Sequence, residues 1–108
     1  MSYVHPLDAL GDPTRRAVLE SLRAGPRSVA DIAAEFPVSR PAVSKHLRVL
    51  KDARLVTDEA VGTRRVYRLD PEGAAALRAY VDSFWDGPLA AFAAAANEHA
   101  KAKKGRKR

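Results

Sequence analysis

The sequence predicts a mainly α-helical domain with one small β-hairpin. Three observations support this prediction: apolar residues recur at helical spacing along most of the chain, proline-led helix starts appear repeatedly, and two short β-prone stretches flank a glycine. The 108 residues, 46% of them hydrophobic, match one domain with one modest core. We expect residues 1–100 to form this domain and residues 101–108 to be a disordered basic tail.

The first third of the chain contains three predicted helices. A short helix is expected around residues 6–10, and because it is too short to be stable alone it must pack on another element. The second begins at Asp12-Pro13, where the aspartate caps the helix and the proline takes the first position, and it ends at Gly25-Pro26. The third begins at Ser28, in an acidic form of the capping box, and ends at Pro37.

A longer helix follows after a turn of about three residues. Ser39 can cap this helix, which tolerates Pro41 because the N–H groups of a first turn have no partner within the helix. The helix is predicted to end near Ala53. Two helices of roughly 8 and 15 residues joined by so short a turn are typical of a helix-turn-helix, whose second helix enters the major groove of DNA.

The next segment changes from helical to strand-like spacing. Residues 55–57 and 65–69 are short and β-prone, and Gly62 lies in the turn that would join them, so the sequence predicts a hairpin. A hairpin after a helix-turn-helix is a wing. The predicted fold is therefore a winged helix-turn-helix, with the element order α-α-α-α-β-β-α.

The last helix carries an apolar stripe that is too long for one small core. The helix starts at Asp70-Pro71, and its stripe is interrupted before Pro88, where we expect a kink or a restart. Pairing of this stripe and of the short first helix with a second subunit would bury it, so we predict a homodimer. Packing within one chain is the alternative. The predicted dimer interface consists of Leu7, Leu10, Leu77, Tyr80, Val81, Phe84, Trp85, Leu89 and Phe92.

The composition argues against several functional classes. The absence of cysteine excludes a disulfide framework, a cysteine-type zinc finger and thiol catalysis. No apolar run approaches the roughly 18 to 20 residues that span a bilayer, and the start of the chain lacks a signal-peptide pattern, so a soluble cytoplasmic protein is expected. Ser44 and His46 lie two positions apart on a helix with no carboxylate placed to orient the histidine. We therefore predict no catalytic residues and no enzyme.

The distribution of charge favours a polyanionic partner. The net charge of +6 comes from the tail, because residues 1–100 hold 13 basic and 13 acidic residues. Within this neutral body, the charged residues of segment 40–68 are mostly basic, whereas residues 70–98 hold five acidic residues and one arginine. A protein that turns one side to DNA would show this segregation. The alternative is that these charges are merely scattered and solvated. The basic tail would either add salt-sensitive affinity for DNA or serve only solubility.

The predicted recognition helix has an apolar and a polar arc. Val43, Leu47 and Leu50 share a narrow arc that we assign to the core, flanked by Ala42 and Ala53. The opposite arc presents guanidinium, ammonium and hydroxyl groups, which suit guanine edges and phosphate oxygens. The predicted DNA-binding residues of this helix are Ser39, Arg40, Pro41, Ser44, Lys45, His46, Arg48 and Lys51.

Positions along this helix predict different contacts. Residues near its start reach deepest into the groove, so base edges are assigned to Ser39, Arg40, Ser44 and Lys45, and phosphates to Arg48 and Lys51. The alternative for Ser39 is that it only caps the helix. His46 flanks the apolar arc, which favours a half-buried histidine that donates to a backbone or phosphate oxygen over base readout.

The hairpin tip is the second predicted contact with DNA. Thr63, Arg64 and Arg65 are expected to reach the adjacent minor groove or the backbone, where the negative potential favours arginine. A charged turn that is merely solvated is the alternative.

Several stretches of the chain resemble the ArsR family of bacterial repressors. Residues 28–33 (SVADIA) and 39–50 (SRPAVSKHLRVL) carry the resemblance most clearly, and residues 10–16, 55–56 and 62–69 extend it over roughly residues 6–96. The resemblance implies a winged helix that dimerises through its first and last helices. It also implies repression by occupation of a promoter, often the protein's own.

The sequence departs from the metal-sensing members of that family. These carry a cysteine pair near the recognition helix, or histidine and carboxylate ligands on the last helix. Here cysteine is absent, and Glu98 and His99 are neighbours that point in different directions on a helix. We therefore predict no metal and no cofactor. The chain more nearly resembles a metal-independent branch with a tryptophan in the last helix, here Trp85, and its effector is unknown. Arg54 stands where many relatives have glycine.

A winged helix that binds protein or RNA is the rival interpretation, because a fold alone does not fix a function. A protein-binding face should expose apolar or aromatic anchors. The polar arc of the recognition helix instead presents arginine, lysine and serine, which favours DNA.

Overall fold

The computed structural model describes residues 3–87 and 91–98. Its helices are α1 (Pro6–Ala9), α2 (Pro13–Ser21), α3 (Val29–Glu35), α4 (Arg40–Asp52) and α5 (Pro71–Ser83), and its strands are β1 (Arg27–Ser28), β2 (Val56–Val61) and β3 (Arg64–Leu69). A 3₁₀ turn spans Leu22–Ala24, and residues 91–98 are helical. This order confirms the mainly α winged helix-turn-helix prediction. Pro88, Leu89 and the basic tail lie outside the described residues.

The helices start at the predicted caps. Asp12, Ser28 and Ser39 each accept a hydrogen bond from the backbone N–H three residues further on, at 3.1–3.2 Å. Asp70 accepts one from the N–H of Glu72 at 3.0 Å. Each cap satisfies a donor that the first turn of a helix leaves without an internal partner. Local chemistry therefore fixes where the helices begin.

The sheet has three antiparallel strands, in the order β1-β3-β2. The hairpin prediction was correct for β3, but β2 extends further towards Gly62 than residues 55–57. Strand β1 was not predicted, because two residues are too few to show strand periodicity. It exists through its pairing with β3, where Ser28 lies opposite Val66. We call β2, β3 and their turn the hairpin.

Helix α4 lies at the centre of the hydrophobic core. Val43, Leu47 and Leu50 are fully buried, which confirms the predicted apolar arc. The remaining buried apolar residues come from the elements around this helix: Ala9, Val18, Leu22, Ile32, Ala53, Leu55 and Val56. Burial of one face of α4 forces its opposite face towards solvent.

The C-terminal end of α4 is a Schellman motif with an arginine in the position that favours glycine. The N–H of Leu55 donates to the carbonyl of Leu50, and that of Arg54 donates to the carbonyl of Lys51, both at 2.9 Å. Arg54 adopts φ 61°, the left-handed conformation that most side chains avoid. The family resemblance implies glycine at this position, but in this chain the helix ends with arginine there.

The start of α5 packs tightly against this helix end. A Cβ atom added to Gly73 would lie 1.5 Å from the backbone oxygen of Arg54, so only glycine fits. The N–H of Asp70 also donates to the carbonyl of Leu55 at 3.0 Å. These contacts fix where α5 starts beside the base of the hairpin.

Contacts divide the chain into one unit that ends at Leu77 and another that begins at Arg78. In the second unit α5 ends at Ser83, and Phe84 and Trp85 lie in a turn whose N–H groups bond to carbonyls three residues back. The rings of Tyr80 and Phe84 meet edge to face, with centroids 5.0 Å apart. None of the described helices is long and apolar enough to cross a membrane.

Candidate nucleic-acid interface

The polar arc of α4 is a continuous exposed face. Seven of the eight side chains predicted to bind DNA from this helix are exposed: Ser39, Arg40, Pro41, Ser44, Lys45, Arg48 and Lys51. Within the described part of the chain, Arg40, Lys45 and Arg48 form no ion pair. Their charges are available to an incoming phosphate or base edge.

His46, the eighth residue, faces the body of the protein. It is half-buried, and its Nδ1 atom is buried without a hydrogen-bond partner among the described residues. The pKa of Asp12 lies below its ordinary value, mainly because the N–H of Arg15 donates to the carboxylate and in smaller part because the charge of His46 is near. His46 therefore lies towards the start of α2, which favours a role in packing over base readout.

The hairpin tip lies beside the first turns of α4. Thr63, Arg64 and Arg65 line one side of a groove of about 270 Å³, and Arg40 and Ser44 line the other. All five side chains are exposed. The fold thus brings together two predicted sets of DNA-binding residues that are about twenty positions apart in sequence.

Three of the predicted DNA-binding cations are already paired with carboxylates. Lys51 Nζ lies 2.8 Å from one oxygen of Asp58, and Arg65 Nη1 lies 3.5 Å from the other. Arg64 Nη1 lies 4.0 Å from Asp31 on α3. The charge pattern of the sequence locates these cations but not their partners. The positive charge free to meet DNA is therefore smaller than the number of basic residues indicates.

Asp58 belongs to this site but was not among the predicted residues. Its side chain is 9% exposed, whereas those of Lys51 and Arg65 are 52% and 53% exposed. One signal was present in the sequence: Asp58 lies two residues after Val56 on a strand, and residues at that spacing share a face. Because Val56 is buried, Asp58 is also directed inward.

Tyr67 lies beside Asp58, where α4 and the hairpin meet. It lies directly opposite Asp58 in the β2–β3 ladder. Burial raises the pKa of the Tyr67 phenol above its ordinary value, and the charge of Asp58 raises it further, while the nearby cations Lys51, Arg65 and Arg48 oppose the rise. The phenol therefore lies among the charges that link the two elements.

The predicted dimer residues fall into two groups. Leu10 and Leu77 pack partly against the core of their own unit. Large side chains of the second unit stay exposed, at 42% for Tyr80, 51% for Phe84, 54% for Trp85 and 73% for Phe92. Leu7 is also exposed and Val81 is half-buried. Leu89 lies outside the described residues.

Within the described ranges, histidine and acidic side chains nowhere form a group of three that could hold a metal ion. His99, which the sequence analysis considered as a ligand, lies outside these ranges. The absence of a regulatory metal stays a prediction.

Comparison with known proteins gives consistent results. Residues 12–58 match the arsR family of bacterial regulatory proteins. The chain is 59% identical over 85 residues to the HTH-type transcriptional regulator Rv2034 of Mycobacterium tuberculosis, with 79% of each chain covered. It is 40% identical over 62 residues to the transcriptional repressor SdpR of Bacillus subtilis, covering 57% of this chain and 69% of that one.

A solved structure also resembles this chain over most of its length. The solution structure of the homodimeric winged helix-turn-helix DNA-binding domain Mb0332 of Mycobacterium bovis, a possible ArsR-family regulator, aligns with a TM-score of 0.60. The two sequences are 34% identical, and 76% of each chain is covered.

Proposed function

Since the chain belongs to the ArsR family and is a transcriptional regulator with a winged helix-turn-helix DNA-binding domain, we propose that it is a repressor that binds a palindromic operator as a homodimer. Its relatives are transcriptional regulators, and it is not an enzyme. A relative named as a transcriptional repressor supports the direction of regulation. Such a protein works in the cytoplasm, where bacterial DNA lies.

The observation that carries the proposal is the exposed face of α4, three of whose cations form no ion pair within residues 3–87 and 91–98. Arg40 and Ser44 lie at the start of this helix, beside the hairpin tip, where a major-groove helix meets base edges. Lys45 directly follows Ser44, and Arg48 lies one turn further on, where we expect phosphate contacts. The proposed hairpin contacts are Thr63, Arg64 and Arg65, which would follow the backbone or the adjacent minor groove.

The homodimer is proposed from the aromatic side chains after residue 78. Tyr80, Phe84, Trp85 and Phe92 expose apolar surface in the single chain, and association with a second subunit would bury it. The similar solved domain is homodimeric. A twofold dimer would present two α4 helices about 34 Å apart, the spacing of successive major grooves on one side of DNA. The operator would then be palindromic.

Binding to the promoter region of the protein's own gene tests the proposed function. The purified protein is titrated against this promoter and against random duplex at several salt concentrations. We expect saturable, salt-sensitive binding that prefers the promoter. Equal affinity for both duplexes at every salt concentration, together with failure to select a sequence from a random library, would contradict specific DNA binding.

Light-scattering mass measurements test the dimer. We expect Phe84→Asp and Phe92→Asp to produce monomers, because each places a charge in the apolar surface. Val61→Asp is the matched control, since Val61 and Phe84 are both 51% exposed but Val61 lies on the hairpin. A dimer that survives both phenylalanine substitutions would refute the proposed interface.

A further inference from the structure

The carboxylate of Asp58 connects the two elements that we propose to bind DNA. One oxygen lies 2.8 Å from Lys51 Nζ on α4, and the other lies 3.5 Å from Arg65 Nη1 on β3. We propose that Asp58 is a positioning residue that holds Lys51 and Arg65 together to bind one DNA backbone phosphate, and that restrains both cations from binding DNA indiscriminately. This inference rests on the proposed DNA-binding function.

The burial of the three side chains supports a fixed arrangement. Asp58 is nearly buried, whereas both cations are about half exposed. A carboxylate removed from water needs charged or hydrogen-bonding partners, so Asp58 holds the inner side of the cluster. The cations keep exposed surface and unused donor groups, because an ammonium has three N–H donors and a guanidinium has five. Those outer donors are available to a phosphate oxygen.

The space in front of the cluster formed by Asp58, Lys51 and Arg65 suits a phosphate. A cavity of about 500 Å³ lies between α4 and the hairpin, and Lys51, Arg65, Arg48, Ser44 and Tyr67 line it. The three cations outnumber Asp52 and Asp58, the carboxylates that also line it. A net positive pocket with hydroxyl donors is chemically suited to an oxyanion. It lies between the two elements that would meet the DNA backbone.

The chain provides a matched control in the residue next to Asp58. Glu59 also forms an ion pair, with Arg68, but both of these side chains are about half exposed. Successive residues of a strand point to opposite faces, so Glu59 points away from the face that Asp58 shares with Tyr67. Asp58→Asn and Glu59→Gln change the net charge equally but release cations on opposite faces.

The test measures the affinity of both variants for the operator and for random duplex over a range of salt. For Asp58→Asn we expect about one additional phosphate contact on random duplex, which steepens the slope of log affinity against log salt by about 0.9. Preference for the operator over random duplex should fall by roughly 3- to 10-fold, since two released cations bind phosphates indiscriminately. Glu59→Gln should change this preference by less than about 2-fold. Equal effects of both variants would overturn the inference.

A spectroscopic titration checks that Asp58 acts at the junction. Because the charge of Asp58 raises the pKa of Tyr67, the ultraviolet titration of this phenol should shift to lower pH in Asp58→Asn but not in Glu59→Gln. Tyr67→Phe identifies its signal among the three tyrosines. An unchanged Tyr67 titration in Asp58→Asn would contradict the proposed geometry.

A second set of variants decides the question even if Asp58→Asn does not fold. Because Lys51 and Arg65 would share one phosphate, the loss of operator affinity in K51Q/R65Q should be smaller than the product of the two single losses. Losses that multiply would mean independent contacts and would refute the shared site. If the wild-type protein prefers no duplex, the proposed function fails first, whereas a specific wild type with multiplying losses refutes this inference alone.

Discussion

Helix α4 and the hairpin both present basic side chains, but they are held in place differently. Helix α4 buries Val43, Leu47 and Leu50 in the core. Among the described residues, three of its four cations form no ion pair (Arg40, Lys45 and Arg48), and the fourth, Lys51, pairs with Asp58. Of the hairpin residues, only Val56 is fully buried. The three arginines of β3 each pair with a carboxylate, namely Arg64 with Asp31, Arg65 with Asp58 and Arg68 with Glu59.

This difference teaches how the core determines the charge that is available for binding. An element anchored by apolar burial can leave its polar face without internal partners. An element that extends beyond the core is held by backbone pairing and by ion pairs, and those with both partners exposed, such as Arg64–Asp31 and Arg68–Glu59, contribute little individually. The number of basic residues in the two elements is similar, yet α4 offers more free positive charge.

The largest expected effect tests the anchoring of α4. We expect Leu47→Ala to lower the free energy of unfolding by about 2–5 kcal/mol, because Leu47 is fully buried and its truncation leaves a cavity. Val61→Ala on the hairpin should change it by less than about 1 kcal/mol, because Val61 is half exposed. Urea denaturation at one fixed protein concentration measures both. Similar losses would remove the distinction between the two elements.

The second effect compares the loss of DNA affinity when an unpaired or a paired arginine is removed. We expect Arg40→Ala to weaken operator binding by roughly 1–3 kcal/mol, with a smaller loss on random duplex, because an arginine at a base edge carries specificity. Arg64→Ala should weaken binding to the operator and to random duplex by about the same factor, and this factor should be smaller than the loss of operator binding in Arg40→Ala, since Arg64 already faces Asp31. Fluorescence anisotropy on both duplexes measures these losses. Equal losses on operator and random duplex for Arg40→Ala would refute its base contact.

The sequence was sufficient to predict the helices and the apolar arc of α4. Caps such as Asp12 and Ser39 are local signals, and the burial of Leu47 follows from helical periodicity within one segment. The exposure of Arg40 and Lys45 follows from the same periodicity, because one buried face determines the other.

Features that depend on contacts between distant segments were not predicted. Strand β1 exists only because Ser28 pairs with Val66, and the role of Gly73 depends on its approach to the carbonyl of Arg54. The pairing of Asp58 with Lys51 likewise joins a strand to a helix. Charge patterns along the sequence locate basic residues, but they do not show which of them a carboxylate will neutralise.

The third effect concerns the joint between α4 and the hairpin. Arg54 has φ 61° at the C-terminal end of α4, a conformation that costs a non-glycine residue about 1–2 kcal/mol. We expect Arg54→Gly to stabilise the protein by up to about 1 kcal/mol, because the greater entropy of glycine in the unfolded chain offsets part of the relief. Arg54→Ala is the control, since it removes the charge and keeps the strained conformation. Urea denaturation in which alanine stabilises as much as glycine would assign the effect to the side chain instead.

The smallest effect tests whether exposed ion pairs brace the sheet. Arg27 of β1 donates to both carboxylate oxygens of Glu35 on α3, at 2.5 and 2.7 Å. These hydrogen bonds hold the pKa of Glu35 below its ordinary value. Burial opposes them in part, and the charge of Arg27 adds a smaller lowering. The unfolded chain therefore binds the proton more readily than the folded protein does.

For a depressed carboxyl pKa, the stabilisation is complete above the ordinary pKa of glutamate and is lost as pH falls through the lowered value. We therefore expect Glu35→Gln to be slightly less stable than the wild type at neutral pH. The two should become equally stable at acidic pH, where Glu35 is protonated in both states. Thermal denaturation across this range measures the difference, with Arg27→Gln as the matched variant. A stability difference that does not change with pH would mean that Glu35 stabilises the edge of the sheet by packing. The sheet would then differ less from α4, which is anchored by apolar burial.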